Sequence, residues 1–261
     1  MDISLKGKTA VICGSSQGIG LATAKELAVN GANCILMARN QEALQKAIGL
    51  LAVRGDQYHQ WIAADFADNR SVEEAIKNIV SKQQVEILIN NTGGPKAGPI
   101  LEASTEAFEQ AFSQHLINNQ ILVKAVVPGM REAKYGRIIN IISTSVKTPL
   151  ANLGVSNTIR LAVASWAKTL ANEIGQFNIT VNNILPGLTQ TQRLDELVKH
   201  TADAVKKEQA SIESQLKESV PMKRFGIPEE IANVIAFLAS PAASYVNGIN
   251  IAVDGGRTPA L

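Results

Sequence analysis

The stretch TAVICGSSQGIG, residues 9–20, joins a short apolar segment to a glycine-rich turn and then to a helical pattern. The segment TAVIC predicts a strand that is buried on both faces. The glycines Gly14, Gly18 and Gly20 lack a Cβ, which allows a tight turn and a close approach of backbone to phosphate. A helix that begins near Gly18 points free N–H groups and its positive dipole end at that phosphate. The stretch predicts a dinucleotide-binding turn, although a glycine trio can also be purely structural.

Strand-like and helix-like segments alternate through all 261 residues. Six further apolar runs predict strands: CILMA (34–38), WIAAD (61–65), EILIN (86–90), RIINIIS (137–143), ITVNNIL (179–185) and INIAV (249–253). Helical patterns lie between them; one ends at Gly31, one ends at Gly55, and one opens on Ser71 with Glu74 as a capping box. This order predicts an α/β fold, a doubly wound (Rossmann), mostly parallel seven-stranded sheet with helices on both faces.

Length, charge and composition are those of one globular domain spanning residues 1–261. The net charge of +2 gives no reason to expect nucleic acid or an anionic membrane as a partner. The first residues lack a signal-peptide pattern and no apolar run reaches about eighteen residues, so we expect a cytoplasmic protein without a membrane span. Cys13 and Cys34 lie in apolar runs and are expected to be buried, reduced thiols. The histidines lack metal-ligand spacing, so no metal site is expected.

One segment, residues 189–220, is polar and helix-prone where the rest of the chain alternates. It follows the sixth predicted strand, on the side where doubly wound sheets bind ligands. A mobile helical lid over that site is one interpretation. A solvated helical excursion or a subunit contact is the other, and the sequence leaves both open.

The glycine turn and four further motifs resemble those of the short-chain dehydrogenase/reductase family over nearly the whole chain. These motifs are NNTG (90–93), LPG (185–187) followed by Thr191, PMKRFGIPEEIA (221–232) and VDGG (253–256). The chain is most similar to the branch that resembles 3-oxoacyl-acyl-carrier-protein reductases. Within that branch, NNTGGP and SNTIR resemble a divergent subgroup whose members lack the usual catalytic residues.

The resemblance implies a nicotinamide cofactor, held by residues of the glycine turn and of four other strand ends. They are Gly14, Ser15, Ser16, Gln17, Gly18, Ile19, Gly20, Arg39, Asp65, Asn91, Gly93, Pro186, Gly187 and Thr191. A site that prefers NAD places an acid at the end of the second strand. Here Ala38 stands at that position and Arg39 follows. Because an arginine can pair with a 2′-phosphate, we predict NADP(H), unless Arg39 is an ordinary surface charge.

The expected catalytic positions carry unusual residues. Ordinary family members use an asparagine, a serine, a tyrosine and a lysine. By resemblance, His115 stands at the asparagine position, Ser143 at the serine, Ser156 at the tyrosine and Arg160 at the lysine. The motif WAKTLANEIG, residues 166–175, matches the family helix without a gap and fixes this register.

No tyrosine of the chain is expected to replace the missing one. Tyr58, Tyr135 and Tyr245 precede predicted strands, which places them toward the amino-terminal edge of the sheet. Ligand sites of this architecture lie outside the carboxyl ends of the strands.

The proton donor therefore has to come from other groups. Arg160 stays protonated, but it can hold the ribose and stabilise a developing oxyanion. His115 is expected to titrate near neutral pH and could pass a proton through water held by Ser143 and Ser156; it could also be a structural histidine. Lys147 is another possible donor if the protein buries its ammonium group, and is otherwise a solvated loop residue.

Two classes of function follow from these residues. The first is an NADP(H)-dependent oxidoreductase that reduces a small carbonyl compound or oxidises the matching alcohol. The second is an NADP(H)-binding protein with little redox turnover, such as a sensor or a partner subunit; a non-redox activity is a weaker third. The family resemblance also implies a homo-oligomer, either a dimer or a tetramer.

Overall fold

A computed structural model describes residues 1–260 of the chain. Its seven strands are β1 Thr9–Cys13, β2 Asn33–Ala38, β3 Gln60–Ala63, β4 Ile87–Asn90, β5 Gly136–Ile141, β6 Ile179–Pro186 and β7 Asn250–Val253. They form one sheet in the order β3-β2-β1-β4-β5-β6-β7, and every neighbouring pair is parallel. The predicted doubly wound α/β fold is confirmed.

Nine α-helices lie within residues 1–260. They are α1 Gly18–Val29, α2 Gln41–Ile48, α3 Asn69–Val80, α4 Thr105–Phe112, α5 Asn118–Glu132, α6 Gly154–Ile174, α7 Gln192–Val205, α8 Gln209–Glu218 and α9 Pro228–Ala239. A π-helical turn, Ser113–Ile117, connects α4 to α5. No helix within residues 1–260 combines the length and apolar character needed to cross a membrane.

Alternate side chains of each strand supply two hydrophobic cores, one on each face of the sheet. From β1, Ala10 and Ile12 join the core formed with α1, α2 and α9, whereas Val11 and Cys13 join the core formed with α3, α5 and α6. The strand order reverses between β1 and β4, so a crevice opens there at the carboxyl ends of the strands. Both cysteines are buried and free, and burial raises the pKa of each thiol to about 12.

The second helix is shorter than its sequence pattern suggested. It ends at Ile48 rather than near Gly55, because the chain has to return to the amino ends of the strands before β3 begins. On this return, the Gln57 Nε2 group donates to the Ala28 and Ala32 carbonyls at 2.9 and 2.8 Å. The prediction of one helix as far as Gly55 was therefore wrong.

The predicted capping box at the start of α3 was also wrong. The N-cap is Asp68, whose carboxylate accepts a hydrogen bond from the Arg70 backbone N–H at 2.9 Å. Ser71 lies inside the helix, and its hydroxyl accepts a hydrogen bond from the Asp65 N–H at 3.0 Å. An aspartate three residues earlier provides the capping chemistry that was predicted for Ser71.

The polar segment 189–220 contains helices α7 and α8. The two helices meet at Lys206, whose φ of 52° is left-handed. They share a small hydrophobic cluster, separate from the two main cores, that includes Leu194, Val198, Ile212 and Phe225. Because this cluster does not depend on the main sheet, the two helices can form one unit. Its role as a lid stays a prediction.

Candidate active site

The glycine-rich turn after β1 packs directly against the end of β4. Gly14 has a φ of +59°, and a Cβ there would lie 2.6 Å from the Asn91 carbonyl oxygen. The Asn91 Nδ2 group donates to the Cys13 and Gly14 carbonyls at 3.3 and 3.2 Å. Helix α1 begins at Gly18 and has no acidic residue in its first turn. Its amino-terminal N–H groups are therefore suited to an anionic phosphate.

A cavity of about 830 Å³ opens beside this turn. Ten of the predicted site residues line it: Gly14, Gln17, Gly18, Ile19, Asn91, Gly93, Arg160, Pro186, Gly187 and Thr191. A Cβ on Gly18 would meet the Thr191 Cγ2 atom at 3.4 Å, so the sixth strand's loop faces the glycine turn. The volume lies within the usual range for cofactor sites.

Five predicted cofactor residues lie outside the cavity lining. The Ser15 hydroxyl is buried and accepts a hydrogen bond from the Met37 N–H at 3.0 Å, which ties the turn to β2. Gly20 lies behind the turn, close to the Gly14 carbonyl. Arg39 and Asp65 are exposed just beyond the carboxyl ends of β2 and β3. Ser16, the other residue of the turn outside the lining, is half-buried.

Four asparagines form a hydrogen-bonded ladder across the sheet next to this site. Asn90, Asn140, Asn183 and Asn250 are register partners on strands β4 to β7. Each donates its Nδ2 hydrogen to the Oδ1 atom of the next, at 2.8 Å in all three links. Aligned amides polarise one another. The ladder leaves the Asn90 Oδ1 atom buried at one end without a protein partner.

A second, much smaller cavity of about 10 Å³ adjoins the end of the ladder. Asn90, His115 and Arg160 line it, and each contributes one buried polar atom that lacks a protein partner: Oδ1, Nε2 and Nε respectively. This volume suits roughly one water molecule, which needs two or more polar partners. Because Arg160 also lines the large cavity, the two spaces share this residue as a wall.

His115 lies in the π-helical turn between α4 and α5 and is only 2% exposed. Its Nδ1 atom lies 2.7 Å from the Thr92 Oγ1 atom. Burial, reinforced by the charges of Arg160 and Arg193, lowers the pKa of His115 to about 2. The imidazole is therefore neutral near pH 7, and the expectation that it titrates there was wrong.

Neutralising His115 by burial has a consequence for stability. Between pH 6.5 and about 2 the unfolded imidazole binds a proton and the folded one does not, so the free energy of unfolding falls as the pH is lowered. In urea denaturation, we expect wild type to lose about 1 kcal/mol more than His115→Gln between about pH 7 and about pH 5.5. Equal losses in the two proteins would show that His115 is not buried in its neutral form.

Arg160 projects from α6 into the wall between the two cavities and is 8% exposed. Its Nη1 group donates to the Ile141 carbonyl at 3.1 Å, at the end of β5. Burial and the nearby Arg193 charge lower the pKa of Arg160 to about 10. It remains a cation near neutral pH, held where the crevice meets the small cavity.

The two candidate serines are less open to the crevice than Arg160. Ser143 precedes a short 3₁₀ turn, and its hydroxyl accepts a hydrogen bond from the Ser145 N–H at 3.1 Å. Ser156 is buried in the first turn of α6. Neither lines either of the two cavities. Lys147 is exposed, so the burial on which its donor role depended is absent.

The tyrosines are engaged or exposed elsewhere. Tyr135 donates its hydroxyl hydrogen to the Ala239 carbonyl at 2.6 Å, and Tyr58 donates to the Gln83 Oε1 atom at 2.6 Å. Tyr245 is fully exposed. All three precede strands, as predicted, and none lines the cavity.

The structure adds residues that the sequence analysis did not single out. Thr92 contacts His115, and Asn90 ends the asparagine ladder. Arg193, in the first turn of α7, donates from Nη1 to the Gly94 carbonyl at 3.3 Å and from Nη2 to the Pro95 carbonyl at 3.0 Å. A basic residue two positions after Thr191 was the only sequence signal for Arg193.

The chain as a whole is similar to known proteins. A family model described as enoyl-(acyl carrier protein) reductase matches residues 14–258. The 3-oxoacyl-[acyl-carrier-protein] reductase FabG of Vibrio cholerae is 32% identical over 97% of this chain and 98% of its own length. The NADPH-dependent reductase BacG of Bacillus subtilis is 31% identical over 97% of this chain and 99% of its own.

A solved structure extends the likeness to three dimensions. L-sorbose reductase from Gluconobacter frateurii, complexed with NADPH and L-sorbose, superposes with a TM-score of 0.93. It is 33% identical, and the match covers all of both chains. The fold therefore agrees over the full length of both chains.

Proposed function

The chain belongs to the short-chain dehydrogenase/reductase family, and we propose that it is an NADP(H)-dependent reductase of a small carbonyl compound. The observation that carries this proposal is Arg160, a buried cation at the lysine position of the family, which lines the cofactor-sized cavity. The names of similar proteins support it, because BacG and L-sorbose reductase are both described with NADPH. Oxidation of NADPH that requires an added carbonyl compound tests it.

The described residues fit a nicotinamide dinucleotide. Gly14 and Gly18 keep the backbone open to phosphate, and the amino terminus of α1 supplies N–H donors. Gly187 must be a glycine, since a Cβ there would lie 2.6 Å from the Asp254 Cα atom. Arg39, exposed after β2, would hold the 2′-phosphate of NADP(H). When bound, the reduced nicotinamide supplies the hydride.

The assignment of NADP(H) rather than NAD(H) predicts a selective effect of Arg39. In Arg39→Ala, we expect NADPH affinity to fall about ten- to a hundredfold, because a charge-assisted hydrogen bond to phosphate is lost. NADH lacks the 2′-phosphate, so its affinity should stay within about twofold of wild type. Fluorescence titration with each nucleotide measures both values. Arg54→Ala is the control, because Arg54 is exposed and lies at the amino ends of the strands, away from Arg39.

The binding titration has a clear contrary outcome. Equal changes in NADPH and NADH affinity would show that Arg39 does not contact the 2′-phosphate. In that case Arg39 would give no reason to prefer NADP(H) over NAD(H).

The chain's own residues contribute a positive charge at the carbonyl oxygen and a place for the proton source. Arg160 stays positive near neutral pH, so it orients a carbonyl oxygen and stabilises the negative charge that develops on it. The Asn90 Oδ1 and His115 Nε2 atoms lie beside Arg160 around a water-sized cavity. We infer that a water held there is the proton source. His115 orients this water as a neutral imidazole, because its low pKa excludes the charged form.

An NADP(H)-binding protein with little redox turnover is the second candidate. The tyrosine position carries Ser156, and Ser143, Ser156 and Lys147 all lie outside the cavity lining, so none of these three candidates is placed to give a proton in the crevice. This protein would bind NADPH normally and leave it unoxidised. The two candidates therefore predict the same affinity and opposite turnover.

Two further properties of the protein are part of the proposal. We place it in the cytoplasm, where its buried free thiols stay reduced. We also propose a homodimer or homotetramer, as the family resemblance implies. Phe112 at the end of α4 and Leu161 on α6 leave 41% and 54% of their surfaces exposed, and helices α4 and α6 pack together. Sedimentation equilibrium distinguishes these states from a monomer.

A further inference from the structure

We propose that the substrate is an oxo acid, a carbonyl compound whose carboxylate is held by Arg160 and Arg193. This inference rests on the proposed reductase function and names the class of its substrate. The two guanidinium groups converge on one point of the loop that follows β4. The family motifs give neither arginine a role in binding a substrate anion.

Gly94 shows how close the two arginines lie. A Cβ on Gly94 would be 3.0 Å from the Arg193 Nη2 atom and 3.4 Å from the Arg160 Nη2 atom. Both Nη2 groups therefore face the same small region, which lies within the lining of the large cavity. Arg160 comes from α6 and Arg193 from the first turn of α7, so the fold brings together residues 33 positions apart in sequence.

The paired charges lack a protein counterion. Within residues 1–260, no carboxylate forms an ion pair with Arg160 or Arg193; the ion pairs found there involve other cations. Burial lowers the pKa of Arg160, and the like charge of Arg193 lowers it further. An anion between the two guanidinium groups would remove this repulsion.

The charge of the whole cavity favours an anion as well. Two lysines and two arginines line it, against two glutamates; they are Lys25, Lys96, Arg160, Arg193, Glu196 and Glu229. One glutamate, Glu196, accepts a hydrogen bond from Gln192 at 2.9 Å on the same helix turn. The net charge of the lining is therefore positive.

The position of the pair favours the substrate over the cofactor's phosphates. The phosphate-binding features lie at the glycine turn, where Thr191 faces Gly18, and at Arg39. The arginine pair instead lies beside Gly94 and the Ile141 carbonyl, at the end of β5 just before Ser143. That is the side of the crevice on which the family resemblance places the reacting carbonyl.

The shape of the two groups favours a carboxylate. Planar guanidinium groups bind carboxylates with two parallel N–H···O bonds. If Arg160 also stabilises the reacting oxygen, the carboxylate held by Arg193 must lie within a few bonds of the carbonyl carbon. A 2-oxo or 3-oxo acid meets this requirement.

Binding of a non-reducible mimic tests this proposal without turnover. Oxamate has the carboxylate and carbonyl of a 2-oxo acid, and oxamide is its neutral counterpart. In calorimetric titrations of the NADPH-loaded protein, we expect oxamate to bind at least about tenfold more tightly than oxamide. Arg193→Gln should lower oxamate affinity by about tenfold or more and leave NADPH affinity within about threefold of wild type.

Lys199→Gln is the matched control, because Lys199 is exposed on the same helix and lies outside the cavity lining. It should leave oxamate affinity unchanged. Equal affinities for oxamate and oxamide, or full oxamate affinity in Arg193→Gln, would overturn the proposal. So would a parallel loss of NADPH affinity in Arg193→Gln, since the pair would then bind the cofactor.

The titration also separates this inference from the reductase function. Oxamate binding that depends on Arg193, in a protein that reduces no carbonyl compound, would support the anion site and contradict the reductase. Carbonyl reduction without Arg193-dependent oxamate binding would do the reverse.

Discussion

Arg160→Ala should lower kcat/KM for NADPH-dependent carbonyl reduction about a hundred- to a thousandfold. Loss of one preorganised group that stabilises a developing oxyanion typically costs this much. Arg160 is suited to that role because it is buried, positive near neutral pH and held by the Ile141 carbonyl. Arg160→Lys keeps the charge but not the planar fork, so we expect an intermediate rate.

Steady-state assays at saturating NADPH measure this effect, with thermal unfolding to show that each variant is folded. Arg131→Ala is the control, since Arg131 stacks over the Phe177 ring at 4.2 Å at the far end of α5. It should leave the rate unchanged. An unchanged kcat/KM in Arg160→Ala would remove Arg160 from the mechanism.

Gly14→Ala should abolish measurable NADPH binding and destabilise the fold by about 2 kcal/mol or more. The left-handed φ of +59° disfavours any residue with a Cβ, and that Cβ would lie 2.6 Å from the Asn91 carbonyl oxygen. Because the Asn91 carbonyl belongs to the backbone, the clash with the new Cβ cannot be relieved without moving the glycine turn. The turn would then lose the geometry that brings its N–H groups to phosphate.

Gly49→Ala provides the comparison for this variant. Gly49 has an ordinary helical φ of −67°, and a Cβ there would meet its nearest neighbour, the Lys46 carbonyl oxygen, at 3.5 Å. Its stability and NADPH affinity should match those of wild type. Urea denaturation and fluorescence titration measure both quantities. Wild-type NADPH affinity in Gly14→Ala would place the cofactor elsewhere.

The sequence predicted the fold because strand, turn and helix patterns are local. The run TAVIC and the glycines after it determine β1, the turn and the start of α1 without help from distant residues. The predicted helix boundaries were wrong where a neighbouring residue or the path of the chain competed with the predicted one. Asp68 replaced Ser71 as a cap, and the return path to β3 ended α2 at Ile48.

The candidate site was only partly predictable, since its chemistry depends on tertiary contacts. Each asparagine of the ladder is visible in the sequence, but their alignment depends on strand register. The charge state of His115 follows from burial beside Arg160 and Arg193, which lie 45 and 78 residues away in sequence. The approach of Arg193 to the β4 loop depends on how α7 packs, which a basic residue after Thr191 does not reveal by itself.

The most direct test of a working reductase is transfer of labelled hydride. NADPH carrying deuterium at the transferable position is mixed with the protein and a panel of carbonyl compounds that includes oxo acids, acyl thioesters, quinones and aldehydes. Nicotinamide absorbance and the mass of the product are followed together. We expect NADPH oxidation that requires a carbonyl compound and one deuterium on the carbon of the new alcohol. NADPH that binds and stays reduced across the panel would contradict the reductase, and SNTIR would then mark the loss of redox chemistry.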